Sequence, residues 1–428
     1  MPRVLLLLPP TSYRAEEFLE AARRLHLNVT VGSEAAASRS AQPPDFLALD
    51  LRDAAATNRA VVRFTESHPI HAVIGVDDHT AVIAAMISEA IGLPHNAVEA
   101  VAAARNKHRM RELLSRKQVP VPRYAKYSID ADPTMIARHI AFPCVVKPLI
   151  LSSSCGVIRA GNEAEFVVAF QRVARLLTAL GLAASGGSGR EVLVEEFIPG
   201  REVALEGLLT DGELRVLALF DKPDPLDGPF FEETIYVTPS RLPAEVQAAI
   251  AACTAKAVRA LGLREGPVHG ELRVNERGPW ILEVAARSIG GRCSRTLRFG
   301  AGLSLEELIL RHALRMDLAS LEREHRPAGV MMLPIPRAGI LREVGGEKDA
   351  RAVPGIEELT ISVRPGEPLV PLPEGTRYLG FMIARGETPQ EVEAALRAAH
   401  RRLKFVISED LPDGVTQASC ESPQPSSC

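Results

Sequence analysis

Short aliphatic runs alternate with amphipathic ones along the first hundred residues: RVLLLL (3–8), YRAEEFLEAARRLH (13–26), NVTVG (28–32), FLALDL (46–51), DAAATNRAVVRFTESH (53–68) and HAVIGVDD (71–78). Parallel strands covered by helices on both faces read as continuous apolar runs, and amphipathic runs between them supply the helices. This alternation predicts strand–helix–strand units and a parallel sheet. Asp77 and Asp78 follow the strand-like AVIGV, where open sheets receive ligands; capping of the next helix is the ordinary alternative. No G-x-G-x-x-G follows the first strand and no G-x-x-x-x-G-K-[ST] occurs anywhere, so neither a dinucleotide fingerprint nor a P-loop is supported.

A chain of 428 residues is too long for one core, so two to four domains are expected. The hydrophobic fraction of 46% and charged fraction of 24% are those of a globular protein and exclude a disordered or fibrous one. A net charge of −3 and 4% aromatic residues provide neither a basic face nor stacking platforms, which argues against a nucleic-acid binder. Cys144, Cys155, Cys253, Cys293, Cys420 and Cys428 show no CxxC pairing or metal-ligand spacing, which predicts reduced thiols and a cytoplasmic setting. The opening MPRVLLLLPP has too short an apolar run for a signal peptide, and nothing approaches the roughly eighteen apolar residues of a membrane span.

Further along, NAVEAVAAARNKHRMRELLSRKQ (96–118) reads as helix and VPVPRY (119–124) as an extended connector. PCVVKPLILSSSCGVIRA (143–160) gives a strand carrying Lys147, a loop of small residues and a return strand. A long periodic helix (163–182) and a flexible AASGGSG loop follow. EVLVEEFIPGREVALEGLL (191–209) reads as two strands joined by a Pro-Gly turn, and LRVLALFDK (214–222) as a third. PDPLDGPFFEETIYVTPSRLP is a surface loop crossing to the helix 244–263. From Gly329 short strand-like runs and a late helix suggest a small α+β appendage, and the last twenty residues are too poor in apolar side chains to order.

Between these lies GPVHGELRVNERGPWILEVAARSIGG (266–291). If VHGELRV and WILEVAA are arms of a hairpin turning at NERG, a register summing to 554 sets Glu271 opposite Glu283, both on one face. His269 and Arg273 share the first face by the period of two, and Ala285 and Arg287 the second. Opposed like charges on a half-buried sheet call for a cation, and carboxylates without sulfur suit a hard ion such as Mg²⁺. The ordinary alternative is one solvated glutamate and one paired with Arg287. Lys147 likewise occupies a strand interior, where an ammonium needs an anion.

The ordered set of Lys107, Lys147 with its SSSCG loop, EEFIPGRE, Glu271, Glu283 and Arg287 resembles the ATP-grasp superfamily of carboxylate-amine ligases. EVAARSIGGRCSRTLRFGAGLSLEELILRHAL and the C-terminal appendage look like its L-amino acid (dipeptide) ligase branch. The resemblance implies an α/β and α+β chain: a Rossmann-like parallel-sheet domain (1–105), an ATP-grasp lid half with linker helix (106–200), a large half with the metal site (201–328), a C-terminal α+β subdomain (329–408) and a disordered tail (409–428). It implies that Lys107 and Lys147 contact ATP phosphates, the latter also near the adenine, that SSSCG with Ser153 and Ser154 forms a mobile lid loop on ATP, that Glu195 and the backbone of Glu196, Phe197 and Ile198 hold adenine, and that Glu202 takes the ribose. Glu271 and Glu283 would ligate Mg²⁺ (Mn²⁺ as substitute), while Arg287, Gly290 and Gly291 would meet the transferred phosphate and the acid. Lys147 and Arg287 are thus the expected catalytic residues. The family's usual Asn two residues after the second metal glutamate is Ala285 here, which removes one oxygen ligand.

Such an enzyme forms an acylphosphate from ATP and an acid, and an amine then displaces phosphate; positioning and charge neutralisation suffice and no nucleophilic side chain is required. Cys155 then reads as a small filler, since no His accompanies it. His269 is either a base or substrate contact or a packed histidine. Phe230, Phe231 and Tyr236 either line a substrate pocket or anchor their loop, and Arg292, Arg295 and Arg298 either receive a substrate carboxylate or face solvent. SSSCG and AASGGSG are the candidate lids. The expected partners are small-molecule acid and amine substrates, amino acids first, without nucleic acid or membrane; a homodimer is compatible. The alternatives are a purine-pathway or carboxylase-type ATP-grasp enzyme, which would need a phosphate pocket or a biotin partner, and an inactive nucleotide-binding regulator.

Overall fold

The computed structural model describes residues 1–9, 12, 14–34, 45–318 and 320–409. The N-terminal sheet is parallel, with strands β1 (Arg3–Leu7), β2 (Asn28–Ser33), β3 (Asp45–Ala48) and β4 (Ala72–Gly75) in the order β3-β2-β1-β4. The apolar run that opens the chain is an interior strand: Val4, Leu5, Leu6 and Leu7 are all fully buried between neighbours and helices. At the carboxyl end of β4 the two aspartates part. Asp77 caps the helix Asp78–Ala90, accepting from the Thr80 N–H at 2.8 Å in a reciprocal capping box, whereas Asp78 turns towards the rest of the molecule.

A second, antiparallel sheet contains β5 (Tyr124–Ser128), β6 (Cys144–Pro148), β7 (Ile158–Ala160) and β8 (Glu191–Glu196), in the order β5-β8-β6-β7. The helix Glu163–Ala179 covers one face. Its Phe166, Phe170, Val173 and Leu177 recur at helical spacing and are fully buried against the strands. The chain leaves β8 at Glu196 and enters β9 (Arg201–Thr210) after four residues, so the Phe197–Gly200 turn joins this sheet to the next.

The largest sheet takes β9, β10 (Glu213–Asp221), β11 (Ile235–Thr238), β12 (Gly266–Asn275), β13 (Gly278–Ala285) and β14 (Ala328–Leu333). Five further strands follow: β15 (Gly339–Gly345), β16 (Ile356–Ile361), β17 (Pro368–Leu369), β18 (Gly380–Arg385) and β19 (Lys404–Ser408). β16 and β18 complete an eight-stranded sheet in the order β13-β12-β9-β10-β11-β14-β18-β16, and β17, β15 and β19 form a small sheet of their own. Of the strands beyond β14, β16 and β18 are therefore hydrogen-bonded into the sheet that carries the carboxylate hairpin, joined to it by the pairing of β11 with β14 from Ile235↔Met331 to Thr238↔Ala328.

The hairpin turns between Asn275 and Gly278, and Glu271 lies opposite Glu283 with His269 opposite Ala285. A bulge between Glu271 and Leu272 moves the pairing by one residue, so Leu272 meets Ile281. Of the expected tail, residues 410–428 lie outside the described residues, together with Cys420 and Cys428. No described helix is long and apolar enough to cross a membrane.

Candidate active site

The sheets meet around one cleft of about 1060 Å³, lined by Lys107, Lys147, Ser153, Ser154, Glu195–Ile198, Glu202, Tyr236, His269, Glu271, Glu283, Arg287, Gly290 and Gly291. Four groups of charges organise its walls.

The first sits where β6, β8 and the helix Lys107–Arg116 converge. Glu195 receives Arg111 through two contacts (Nε–Oε1 2.6 Å, Nη2–Oε2 3.3 Å) and Lys147 Nζ at 2.6 Å. Burial raises the carboxyl pKa of Glu195, but Arg111 and Lys147 together outweigh it and hold the value at about 2. Burial pulls the Lys147 ammonium below its ordinary range despite Glu195. Glu195 thus fixes Lys147 at the cleft wall, a role different from reading a base. Among its neighbours, the N–H of Glu196 donates to the Arg123 carbonyl (2.9 Å) and that of Phe197 to the Pro143 carbonyl (3.1 Å), and the Ile198 carbonyl accepts from Arg273 (3.0 Å). The run 196–198 is only partly open to a base edge.

The second group is the hairpin. Lys107 is buried, donates to the Leu151 carbonyl (2.7 Å) and lies 3.4 Å from Glu283. Glu271 meets Lys222 at 3.3 Å and His269 at 3.4 Å. The third group surrounds Lys222, whose Nζ reaches Glu202 at 2.8 Å and Glu233 at 2.7 Å and lies 4.9 Å over the Tyr236 ring. Glu202 gives its second oxygen to Arg273 (3.1 Å), so both oxygens expected for a ribose already have protein partners.

The fourth group is where the start of the helix Asp78–Ala90 meets the 287–291 loop. Arg287 grips Asp78 with two 3.0 Å contacts, across 209 residues of sequence. Arg14 reaches the Val76 carbonyl and both the carbonyl and hydroxyl of Ser288. Glu206, fully buried in β9, accepts the Ile289 N–H at 2.9 Å, and burial drives its pKa well up. Beside it, burial and then the Arg287 and Lys222 charges lower the His269 pKa to about 3, so the imidazole is neutral. These contacts hold the 287–291 loop from three sides, with Gly290, Gly291, Tyr236 and Phe231 on the cleft wall.

A model of the ATP-grasp domain matches residues 140–296, one of the ATP-grasp N-terminal domain residues 19–95, and one of the L-amino acid ligase C-terminal domain 2 residues 331–408. The solved L-amino acid ligase from Bacillus licheniformis superposes with a TM-score of 0.81 at 26% identity, covering 95% of this chain and 99% of that one. The chain belongs to the ATP-grasp ligases. As such it is an enzyme that forms carbon–nitrogen bonds, and ATP-grasp enzymes work with ATP and a divalent metal. The alanine–anticapsin ligase of Bacillus subtilis strain 168 is 27% identical over 52% of this chain, and the match spans 49% of that protein's length. The D-alanine–D-alanine ligase of Ralstonia nicotianae is 27% identical over 54% of this chain and 69% of its own. The likeness to purine-pathway and biotin-carboxylase structures, at 14–19% identity, carries the fold alone.

Two sets of carboxylates in this ligase invite a divalent ion. Glu202, Glu233 and Glu271 offer oxygens within 4.8 Å of one another, but Lys222 already sits among them as their cation. Glu271 and Glu283 fit better: they are opposed on one face, supply hard oxygen donors, and keep 21% and 25% of their side-chain surface open, against 9% for Glu202.

Several functional neighbours of the ligase site were not evident in the sequence. Arg111 and Lys222 read as ordinary basic residues of a helix and a strand end. Glu233 and Glu206 left a faint signal, an acid pair in an aromatic loop and a lone acid inside the apolar run VALEGLL. Other expectations change. Arg292 pairs with Glu17 and Glu358, each at 3.0 Å, and Arg295 with Glu358 at 2.8 Å; neither they nor Arg298 line the cleft. Phe230 bridges to Ile158 and packs under Arg172 instead of lining the pocket. The AASGGSG segment forms short 3₁₀ turns tied to Asn106 through Ser188 and is no wall of the cleft.

Proposed function

We propose that this ligase joins the carboxylate of one amino acid to the amine of another, with ADP and phosphate as the other products. The reading is carried by one observation: Glu271 and Glu283, two buried lysines and Arg287 face a single cleft that runs from the 195–198 turn to the 287–291 loop. The relatives' names, one joining alanine to anticapsin and one joining D-alanine to D-alanine, support the same class.

In the first step a carboxylate oxygen of the acid attacks the γ-phosphorus of ATP; the new P–O bond forms as the bond to ADP breaks, and ADP leaves with the electron pair. Lys107 and Lys147 neutralise the phosphates, each held by a carboxylate and thus pre-positioned. Mg²⁺, or Mn²⁺ in its place, would be held by Glu271 and Glu283 and would supply charge neutralisation at the phosphates. Arg287, braced by Asp78, meets the transferred phosphoryl group and the acid. In the second step the neutral amine adds to the acyl carbon, the C–N bond forms, phosphate leaves with the electrons of the C–O bond, and the proton lost by the amine nitrogen passes to the departing phosphate. Glu233 and Tyr236 line this part of the cleft, where the arriving amino group would lie. Among the described residues the four cysteines are buried free thiols, which suits a reducing, cytoplasmic setting.

Incubation with Mg-ATP and paired amino acids tests this reading. Release of ADP and phosphate that requires both an acid and an amine is expected; AMP and diphosphate, or no nucleotide turnover with any pair, overturns it.

A further inference from the structure

The small-residue loop 152–156 is held down by a part of the chain more than two hundred residues away. The Gly156 N–H donates to the Pro373 carbonyl at 2.7 Å, and Cys155 Sγ lies 3.7 Å from the Glu374 carbonyl. Behind the loop, Arg172 on the helix Glu163–Ala179 grips the Glu374 carboxylate with two prongs (Nε–Oε1 2.5 Å, Nη2–Oε2 2.8 Å), and its guanidinium lies 5.1 Å over Phe230. This is the planar, two-bond geometry in which an arginine–carboxylate pair is strongest, and the Glu374 side chain is only 11% exposed.

The loop needs such an anchor. Ser153 and Ser154 both adopt left-handed backbone (φ 55° and 56°), and Gly156 follows at φ 71°. Consecutive non-glycine residues in that region persist only where the surroundings fix them. The anchoring turn is itself tight: a Cβ on Gly375 would fall 1.8 Å from the Val370 carbonyl oxygen. The residues that follow it, Thr376, Arg377 and Tyr378, line the cleft. The segment 373–378 therefore touches the loop over the phosphate end with one part and the cleft wall with the next.

We propose that Glu374 and Arg172 form a latch that seats the 152–156 loop over the cleft, and that Glu374 is a positioning residue that keeps water from the acylphosphate. The functional half of this rests on the ligase reading above. With the latch shut, the amine is the nucleophile that reaches the acyl carbon. With it open, a water oxygen forms the new bond to that carbon, phosphate leaves with the C–O electron pair, a proton passes to solvent, and the acid is regenerated with one ATP consumed and no amide made.

The test uses the full chain with Glu374→Gln, Arg172→Met and the exchanged pair Arg172→Glu with Glu374→Arg. Hydrogen–deuterium exchange of peptides covering residues 152–158, without ligands, reads the latch directly. Both single variants are expected to exchange there at least tenfold faster, and the exchanged pair to recover most of the protection. With Mg-ATP and a productive amino acid pair, both single variants should release more phosphate per amide formed, and the exchanged pair less than either. Unchanged exchange in both single variants overturns the latch. Faster exchange with an unchanged phosphate-to-amide ratio overturns the positioning role. A wild-type protein that turns over no amino acid pair overturns the ligase reading alone, since the exchange data still decide the latch.

Discussion

Glu195 carries one negative charge between two buried cations, Arg111 at 0% and Lys147 at 10% side-chain exposure, so the triad has a net charge of +1. Two substitutions unbalance it in opposite senses. Glu195→Gln keeps the shape but leaves both cations facing each other without an anion, at net +2. Arg111→Met removes one cation and leaves the 2.6 Å Lys147–Glu195 pair intact, at net zero. Leaving buried charge uncompensated costs about 3–5 kcal/mol. Arg111→Met mainly deprives the Leu282 carbonyl of its 2.6 Å donor, roughly 2 kcal/mol. At about 2 °C per kcal/mol for a unit of this size, thermal unfolding at pH 7 without nucleotide should fall by roughly 6–10 °C for Glu195→Gln and about 4 °C for Arg111→Met. The pH dependence gives a second reading of the same charge. The Glu195 carboxyl is held at about 2 against an ordinary 4.5, so its contribution is present above pH 4.5 and is lost as pH falls towards 2. The gap between wild type and Glu195→Gln should narrow through that window. Arg111→Met costing more than Glu195→Gln, or a gap that does not change with pH, refutes the charge-balance reasoning.

Glu283→Ala should abolish phosphate release and, because it takes the 3.4 Å carboxylate from the buried Lys107, lower the melting temperature by a few degrees; retained turnover in the folded variant removes the hairpin from the metal site. Lys222→Met leaves Glu202, Glu233 and Glu271 without their cation, and the variant should melt about 5 °C or more lower but be rescued by millimolar Mn²⁺ in a thermal-shift assay, whereas wild type should show a smaller nucleotide-free gain. His269, held at about 3 against an ordinary 6.5, favours the unfolded state as pH falls from 6.5 towards 3; His269→Asn should therefore lose less stability than wild type between pH 7 and pH 5, as read by melting temperature.

What the sequence makes legible, and what it hides, divides by the distance between partners. The parallel sheet shows in the alternation of runs such as RVLLLL and HAVIGV, because burial on both faces is a local property of each strand. The facing of Glu271 and Glu283 is visible because the two lie twelve residues apart in one hairpin, where the period of two and a short turn set the register. The bulge after Glu271 is not, since the pattern on either side of it remains alternating. Residues whose partner lies elsewhere in the chain are opaque for a different reason. Arg111 occupies a basic, amphipathic helix and reads as solvated; it is buried only because β8 brings Glu195 and β13 brings the Leu282 carbonyl over it. Asp78 and Arg287, 209 residues apart, and Arg172 and Glu374, 202 apart, each read as half of an unassigned charge. Arg292 and Arg295 look free for a substrate for the same reason, until Glu17 and Glu358 close on them. Periodicity names the face on which a charge lies, while the charge that balances it is chosen by tertiary closure. A buried cation in a sequence is therefore best read as a demand for an anion of unknown address, and in this ligase Glu283 and Glu195 answer that demand for Lys107 and Lys147.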